Sequence, residues 1–173
     1  AGDPRFEGFK PRDTRDLIYA WTRKEYRNLK RMYEAGVKVP KPIAFRNNVL
    51  VMDFMGEDTT RYPLLIEAYK ELELEELEQI YRVILEEVTK MVCKAELVHG
   101  DLSEYNVMVK PDLDIVIIDV SQAMDVDHPN AFFFLKRDLE CINRFFKEEA
   151  RVENIVSTEE FVEGLKSCLE KKR

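Results

Sequence analysis

The sequence predicts one α+β domain, mainly helical with two β-hairpins, and three observations carry that expectation. Apolar residues recur at helical spacing over residues 16–35, 75–95 and 130–149. Short apolar runs separated by turn residues occur twice, at 43–46 and 49–54 around Asn47-Asn48 and at 107–109 and 115–118 around a turn containing Pro111. The length of 173 residues, with few Gly and Pro and no low-complexity tract, supports a single hydrophobic core.

Taken in order, residues 1–14 carry Gly2, Pro4, Gly8 and Pro11 among charges and read as an extended lead-in. The first helix, 16–35, places Ile18, Trp21, Leu29 and Met32 on one stripe and is ended by Gly36. Glu25 falls on that stripe. A carboxylate facing a core is costly unless a cation or hydrogen bonds meet it. Either Glu25 has a partner, or the helix rolls enough for it to reach water or pair with Lys24 or Arg27. The prolines at 40 and 42 extend the chain into the first hairpin, whose return strand 49–54 is apolar enough for a central strand. Its exit, 55–58, is polar and suits a hinge. Residues 59–63 read as irregular and 64–72 as a short helix. The long helix at 75–95 has a stripe of Leu77, Ile80, Tyr81, Ile84, Leu85, Val88, Met91 and Val92, which is core.

Past the second hairpin, 120–127 reads as polar and irregular. The helix at 130–149 turns Phe134, Leu135, Leu139, Ile142, Phe145 and Phe146 inward. His128, just before Pro129, suits a capping or surface role, with a ligand or base as the alternative. Ser157 and Glu160 form a capping box for a last, packing helix through Leu169.

The formal charge of −7 argues against a general DNA- or RNA-binding surface, although Lys10, Arg12 and Arg15 make a local basic group. Cys93, Cys141 and Cys168 are widely spaced within helical patterns, so reduced, buried thiols are expected rather than disulfides or a zinc site. No apolar run approaches spanning length and no signal peptide is visible, so no membrane partner and a cytoplasmic location are expected.

The chemistry concentrates in residues 97–119, LVHGDLSEYNVMVKPDLDIVIID. Asp101 and Asn106 stand in a loop too polar to be buried strand. In an antiparallel hairpin the start of the first strand lies beside the end of the second, so Asn106 and Asp119 should meet at its open end, close to Asp101. Two carboxylates and an amide oxygen suit a hard divalent cation that shares phosphate oxygens, which implies a nucleotide. Asp101 is then free to accept a proton from an attacking hydroxyl or water. The plain alternative is that Asp and Asn sit at loop edges for local hydrogen-bonding reasons.

With these residues in view, the chain resembles the protein-kinase-like superfamily and, more narrowly, the first-named branch of the RIO family of atypical kinases. WTRKEYRNLKRMYEAGVKVPKPI, NVLVMDFMGED, LVHGDLSEYN, IIDVSQA and DHP carry the resemblance. An ordinary protein kinase has Arg where Gly100 stands and Phe-Gly where this chain has Val120-Ser121. The resemblance implies a protein-kinase-like α+β fold, with 1–55 as the remaining part of the N-lobe and hinge and 56–173 as a mainly helical C-lobe. It implies Asp101 as the catalytic-loop Asp and Asn106 and Asp119 as ligands of Mg²⁺ or Mn²⁺. Glu25 becomes the helix carboxylate that pairs with the ATP-contacting lysine, and backbone groups near Asp53 and Met55 hold the adenine. It further implies an atypical serine/threonine kinase or ATPase, with serine autophosphorylation or a transient phosphate on Asp119, and a maturing small ribosomal subunit as partner. A glycine-rich loop and lysine strand are not found before Glu25, so the domain is read as N-terminally incomplete and, by itself, a weak binder of ATP.

A small-molecule kinase of the aminoglycoside or choline type shares the His-Gly-Asp, Asn and late Asp pattern and is the main rival. Ser103-Glu104-Tyr105, the run Asp119-Val-Ser-Gln-Ala and the short tail favour the RIO reading. A catalytically silent scaffold that binds a ribosomal precursor is the second rival.

Overall fold

The structure, a computed structural model, describes residues 14–171. The lead-in at the N-terminus, with Lys10 and Arg12, lies outside the described residues. Among the described residues no helix is long and apolar enough to cross a membrane.

Helix α1 (Thr14–Glu34) buries Leu29 and Met32 together with Thr22 and Asn28. Trp21, expected inward, is 45% exposed. It lies toward the first half of α1, whereas Asn28, Leu29 and Met32 in the second half meet the body. Two polar side chains set that docking. Asn28 Nδ2 donates to the Ala123 carbonyl at 3.1 Å, and Arg31 donates to Asp125 Oδ1 at 2.7 Å and to the Ala95 carbonyl at 2.9 Å. An apolar periodicity cannot see such contacts.

Strands β1 (Pro42–Arg46) and β2 (Val49–Met52) form the first hairpin, pairing Phe45 with Leu50 and Arg46 with Val49. Asn47 takes φ 53° in the two-residue turn, a conformation Asn tolerates better than most residues. Phe45 packs on α1, with ring centroids 4.9 Å from Tyr26 and 6.2 Å from Tyr19. The expectation of a central strand at 49–54 is corrected. The sheet has two strands, and Ile43, Val49, Val51 and Phe54 are exposed. Apolar content signals a strand that can be buried on both faces, but only flanking strands make it central.

The stretch expected to be irregular after the hinge is a small hairpin, β3 (Gly56–Glu57) with β4 (Thr60–Arg61). Helix α2 (Leu65–Ala68) and a 3₁₀ turn at Tyr69–Glu71 follow, close to the short helix expected. Helix α3 (Leu74–Cys93) buries every member of its predicted stripe. It is the spine against which the other C-terminal elements pack.

Strand β5 (Leu97–Val98) leads into the loop, β6 (Val107–Val109) and β7 (Ile115–Ile117) make the second hairpin, and β8 (Met124–Asp125) pairs back to β5. The segment 120–127 is therefore not simply polar and irregular. Val120, Ala123 and Met124 are buried, because the chain doubles back beneath β5. Helix α4 (Ala131–Glu148) buries Leu135, Leu139, Ile142, Phe145 and Phe146 as expected. Phe134 is only half-buried, with the Arg137 guanidinium 4.8 Å from its ring centre. Helix α5 (Thr158–Glu170) starts at Ser157, whose side chain accepts the Glu160 N–H, as the capping residues predicted. His128 Nδ1 accepts the Asn130 N–H at 3.1 Å, a local bond in the turn before α4, whose N-cap Asn130 makes no side-chain cap bond.

Cys93 and Cys168 form a disulfide, which corrects the expectation of reduced thiols at those positions; Cys141 is free. The two are 75 residues apart in sequence, yet α5 returns along α3 and brings their Cα atoms to 5.9 Å, within bridging range. Helical patterning places each cysteine on its own helix and says nothing about which helix ends adjoin.

Candidate active site

The β6–β7 register pairs Val107 with Ile117, and the Ile118 N–H donates to the Asn106 carbonyl at 3.0 Å. Asn106 and Asp119 therefore emerge at the same end of the hairpin. Asn106 Nδ2 donates to the Asp101 carbonyl at 2.6 Å, which ties the loop to the hairpin and leaves Oδ1 as the acceptor oxygen of that side chain. Asp101 and Asp119 are both exposed.

His99 fastens the same three pieces from below. It is buried, its Nε2 stands 3.0 Å from the Ile118 carbonyl, and its Nδ1 accepts the Asp101 N–H at 3.2 Å. These contacts assign the proton to Nε2. Burial pushes its pKa down, against the pull of the Ile118 carbonyl, Asp119 and Asp101, so His99 serves as a neutral strut rather than a base.

Gly100, with φ 83°, occupies left-handed space that a side chain disfavours, and a Cβ there would lie 2.7 Å from the Gln122 carbonyl oxygen. That approach lets the strand after Asp119 run directly beneath the loop. Asp119 itself has φ 56°, an uncommon conformation for a non-glycine residue, of the kind found where function demands a fixed direction. Its Oδ1 accepts a hydrogen bond from Ser121 Oγ at 2.7 Å.

Glu25 is half-buried on α1. Burial raises its pKa first and the Asp119 carboxylate second, which places the two acids within electrostatic reach. No salt bridge meets Glu25 among the described residues.

Sequence reasoning missed Asp138. It is 3% exposed on α4 and accepts the N–H groups of Gly100 at 2.8 Å and Leu102 at 3.0 Å, on either side of Asp101. Arg137 adds a bond to the Gly100 carbonyl at 3.0 Å. The available signal was an Asp on the apolar face of α4, next to Leu139. Burial pushes the Asp138 carboxyl up to about 7, only partly offset by the two N–H donors and Arg137. A carboxyl whose folded pKa lies above its ordinary value binds a proton more readily folded than unfolded. Its contribution to stability is therefore present at low pH and declines as pH rises from about 4 to about 7. Denaturant unfolding at several pH values is expected to show that decline, and Asp138→Asn should flatten it while lowering stability by roughly 1–3 kcal/mol, since one buried N–H loses its acceptor. Identical pH profiles for the two proteins would refute the assignment.

Asp53 and Met55, the residues expected at a hinge, are placed by their backbone bonds. The Asp53 N–H donates to the Lys41 carbonyl at 2.9 Å, and the Met55 carbonyl accepts the Tyr62 N–H at 3.0 Å. The Asp53 carbonyl and the Met55 N–H have no hydrogen-bond partner among the described residues. Downstream, Leu64 bridges to Met108 and the Ile66 N–H reaches the Glu104 carbonyl, so the chain after Met55 docks on the loop and the hairpin that follows it.

A family model described as the RIO domain matches residues 1–161. The chain belongs to the RIO domain family. It is 43% identical over 163 residues to the RIO-type serine/threonine-protein kinase Rio1 of Haloferax volcanii, covering 94% of this chain and 54% of that protein. It is 38% identical over 149 residues to the serine/threonine-protein kinase RIO1 of Homo sapiens, covering 84% of this chain and 25% of that one. Among solved structures, the Rio2 kinase of Chaetomium thermophilum, in an ADP/Mg²⁺-phosphoaspartate complex, superposes with a TM-score of 0.69 at 24% identity. That match covers 90% of this chain and 49% of the Rio2 chain, and it establishes the protein-kinase-like fold. The RIO domain here spans about half the length of the Haloferax relative.

Proposed function

We propose that this RIO domain carries the catalytic loop and metal-holding residues of an ATP-dependent phosphotransferase, an atypical serine/threonine kinase that also works as an ATPase. The observation that carries the proposal is the meeting of Asp101, Asn106 and Asp119 at one end of the β6–β7 hairpin. Among the described residues no three His, Cys, Asp or Glu side chains gather as a metal cage. The donors present are the Asp119 carboxylate and the Asn106 amide oxygen, a hard, incomplete set that fits Mg²⁺ or Mn²⁺ completed by nucleotide phosphate and water. When bound, such a cation supplies charge neutralisation at the phosphates.

Each residue then has a task. The Asp53 carbonyl and Met55 N–H are an acceptor and a donor two residues apart, suited to the amino group and ring nitrogen of adenine. Asp101, exposed and held only through its backbone, accepts the proton of an attacking hydroxyl. Asp119 can itself attack the γ-phosphorus of ATP: its oxygen forms the new P–O bond, the bond to ADP breaks, and water later releases phosphate and restores the carboxylate. The phosphoaspartate in the Chaetomium Rio2 complex supports that route. Glu25, half-buried and within electrostatic reach of Asp119, suits a cationic partner such as a lysine that contacts ATP. The naming of the relatives as serine/threonine kinases supports a serine acceptor, and a maturing small ribosomal particle is the partner we propose.

The test is to incubate the full-length protein with γ-labelled ATP and treat the labelled protein with neutral hydroxylamine. Label released by hydroxylamine and mapped to Asp119 supports the ATPase cycle, and hydroxylamine-stable phosphoserine supports autophosphorylation. Absence of both label and ATP hydrolysis would leave only a silent scaffold.

A further inference from the structure

We propose that Ser121 is a positioning residue that holds the Asp119 carboxylate for the cation, an inference that rests on the phosphotransfer reading above. Asp119 is exposed, so its carboxylate is free to rotate unless a neighbour holds it. The Ser121 hydroxyl fixes it by donating to Oδ1 at 2.7 Å, which leaves Oδ2 for other ligands. Two residues of separation make this a tight local ring.

Ser121 is itself held. The Ala123 N–H closes a turn onto the Val120 carbonyl at 3.1 Å, and the Ala123 carbonyl accepts from the buried Asn28 on α1 at 3.1 Å. Asn28 lies three residues beyond Glu25 on the same helix. The path from Glu25 to Asp119 thus runs through Asn28, the 120–123 turn and Ser121, and each link is a hydrogen bond or one turn of backbone. The helix that bears one acid and the loop that bears the other are kept in register by the turn that carries the hydroxyl. Partners that orient a metal ligand in this way typically carry a tenfold or larger share of metal affinity.

The test uses the full-length protein and Mn²⁺ as the probe, with binding in the presence of ADP read by electron paramagnetic resonance and activity read in parallel. Ser121→Ala is expected to weaken Mn²⁺ binding by about tenfold and to raise the metal concentration for half-maximal activity by a similar factor. ADP binding without metal should be unchanged, a split that a merely structural role would not produce. Ser121→Thr keeps the hydroxyl and should restore Mn²⁺ binding. Unchanged Mn²⁺ affinity in Ser121→Ala, or failure of Ser121→Thr to restore it, overturns the proposal. Asp119→Asn separates the two layers. If it abolishes Mn²⁺ binding while Ser121→Ala does nothing, the role of Ser121 alone is wrong; if Asp119→Asn leaves binding intact, the metal site itself is wrong.

Discussion

Asp101→Asn is expected to lower phosphoryl transfer by the full-length protein about 10²–10⁴-fold, the usual share of a positioned general base, while leaving nucleotide affinity and thermal stability nearly unchanged. The expectation follows from how Asp101 is held. His99 Nδ1 takes its N–H, Asn106 Nδ2 donates to its carbonyl, and Asp138 fixes the residues on either side. Its exposed carboxylate takes part in none of these bonds, so an isosteric amide removes the proton acceptor without disturbing the loop. Steady-state ATP turnover and phosphoprotein yield, with melting temperature as the control, check the prediction. Turnover within a few-fold of the unmodified protein would remove Asp101 from the chemistry, whereas a large fall in melting temperature would give it a structural role instead.

The second large effect concerns stability. Reducing the Cys93–Cys168 bridge is expected to cost about 4 kcal/mol, because a cross-link across 75 residues removes much of the unfolded chain's conformational freedom. For a domain of this size that corresponds to a fall of roughly 10 °C in melting temperature. Thermal unfolding with and without a dithiol reductant measures it, and Cys93→Ser/Cys168→Ser should melt like the reduced protein. Thiol titration of the denatured, unreduced chain should find Cys141 alone reactive. Three reactive thiols, or a melting temperature indifferent to reductant, would contradict the bridge. Because α5 packs along both α3 and α4, its loosening should reach the core around Val162 and Leu165 before it reaches the loop that bears Asp101.

The elements that were legible in the sequence are those whose signals are local. The α3 stripe from Leu77 to Val92, the Ser157 cap and the Asn47-Asn48 turn depend on residues a few positions apart, and the structure places each where periodicity or capping chemistry put it. The neighbourhood of Asn106 and Asp119 was also legible, since a hairpin joins the ends of its own strands. Less visible were features that need a second, distant segment. Trp21 lies on the expected stripe, but the body meets chiefly the far half of its helix. The apolar strand at 49–52 lacks the flanking strands that would make it central. Met124 is buried because β8 pairs with β5 across the catalytic loop, which the polar look of 120–127 conceals.

By itself the sequence determined the longer helices, the two larger hairpins, and the gathering of an amide and an acid at one hairpin end, because short-range stereochemistry and side-chain periodicity decide such things within a few residues. Only the tertiary structure decided that Asp138 grips the loop from α4, that Glu25 comes within electrostatic reach of Asp119, and that Cys93 adjoins Cys168. Each of those depends on packing between segments far apart in the chain, where hydrogen-bond direction and burial are set by the whole fold and leave no periodic trace.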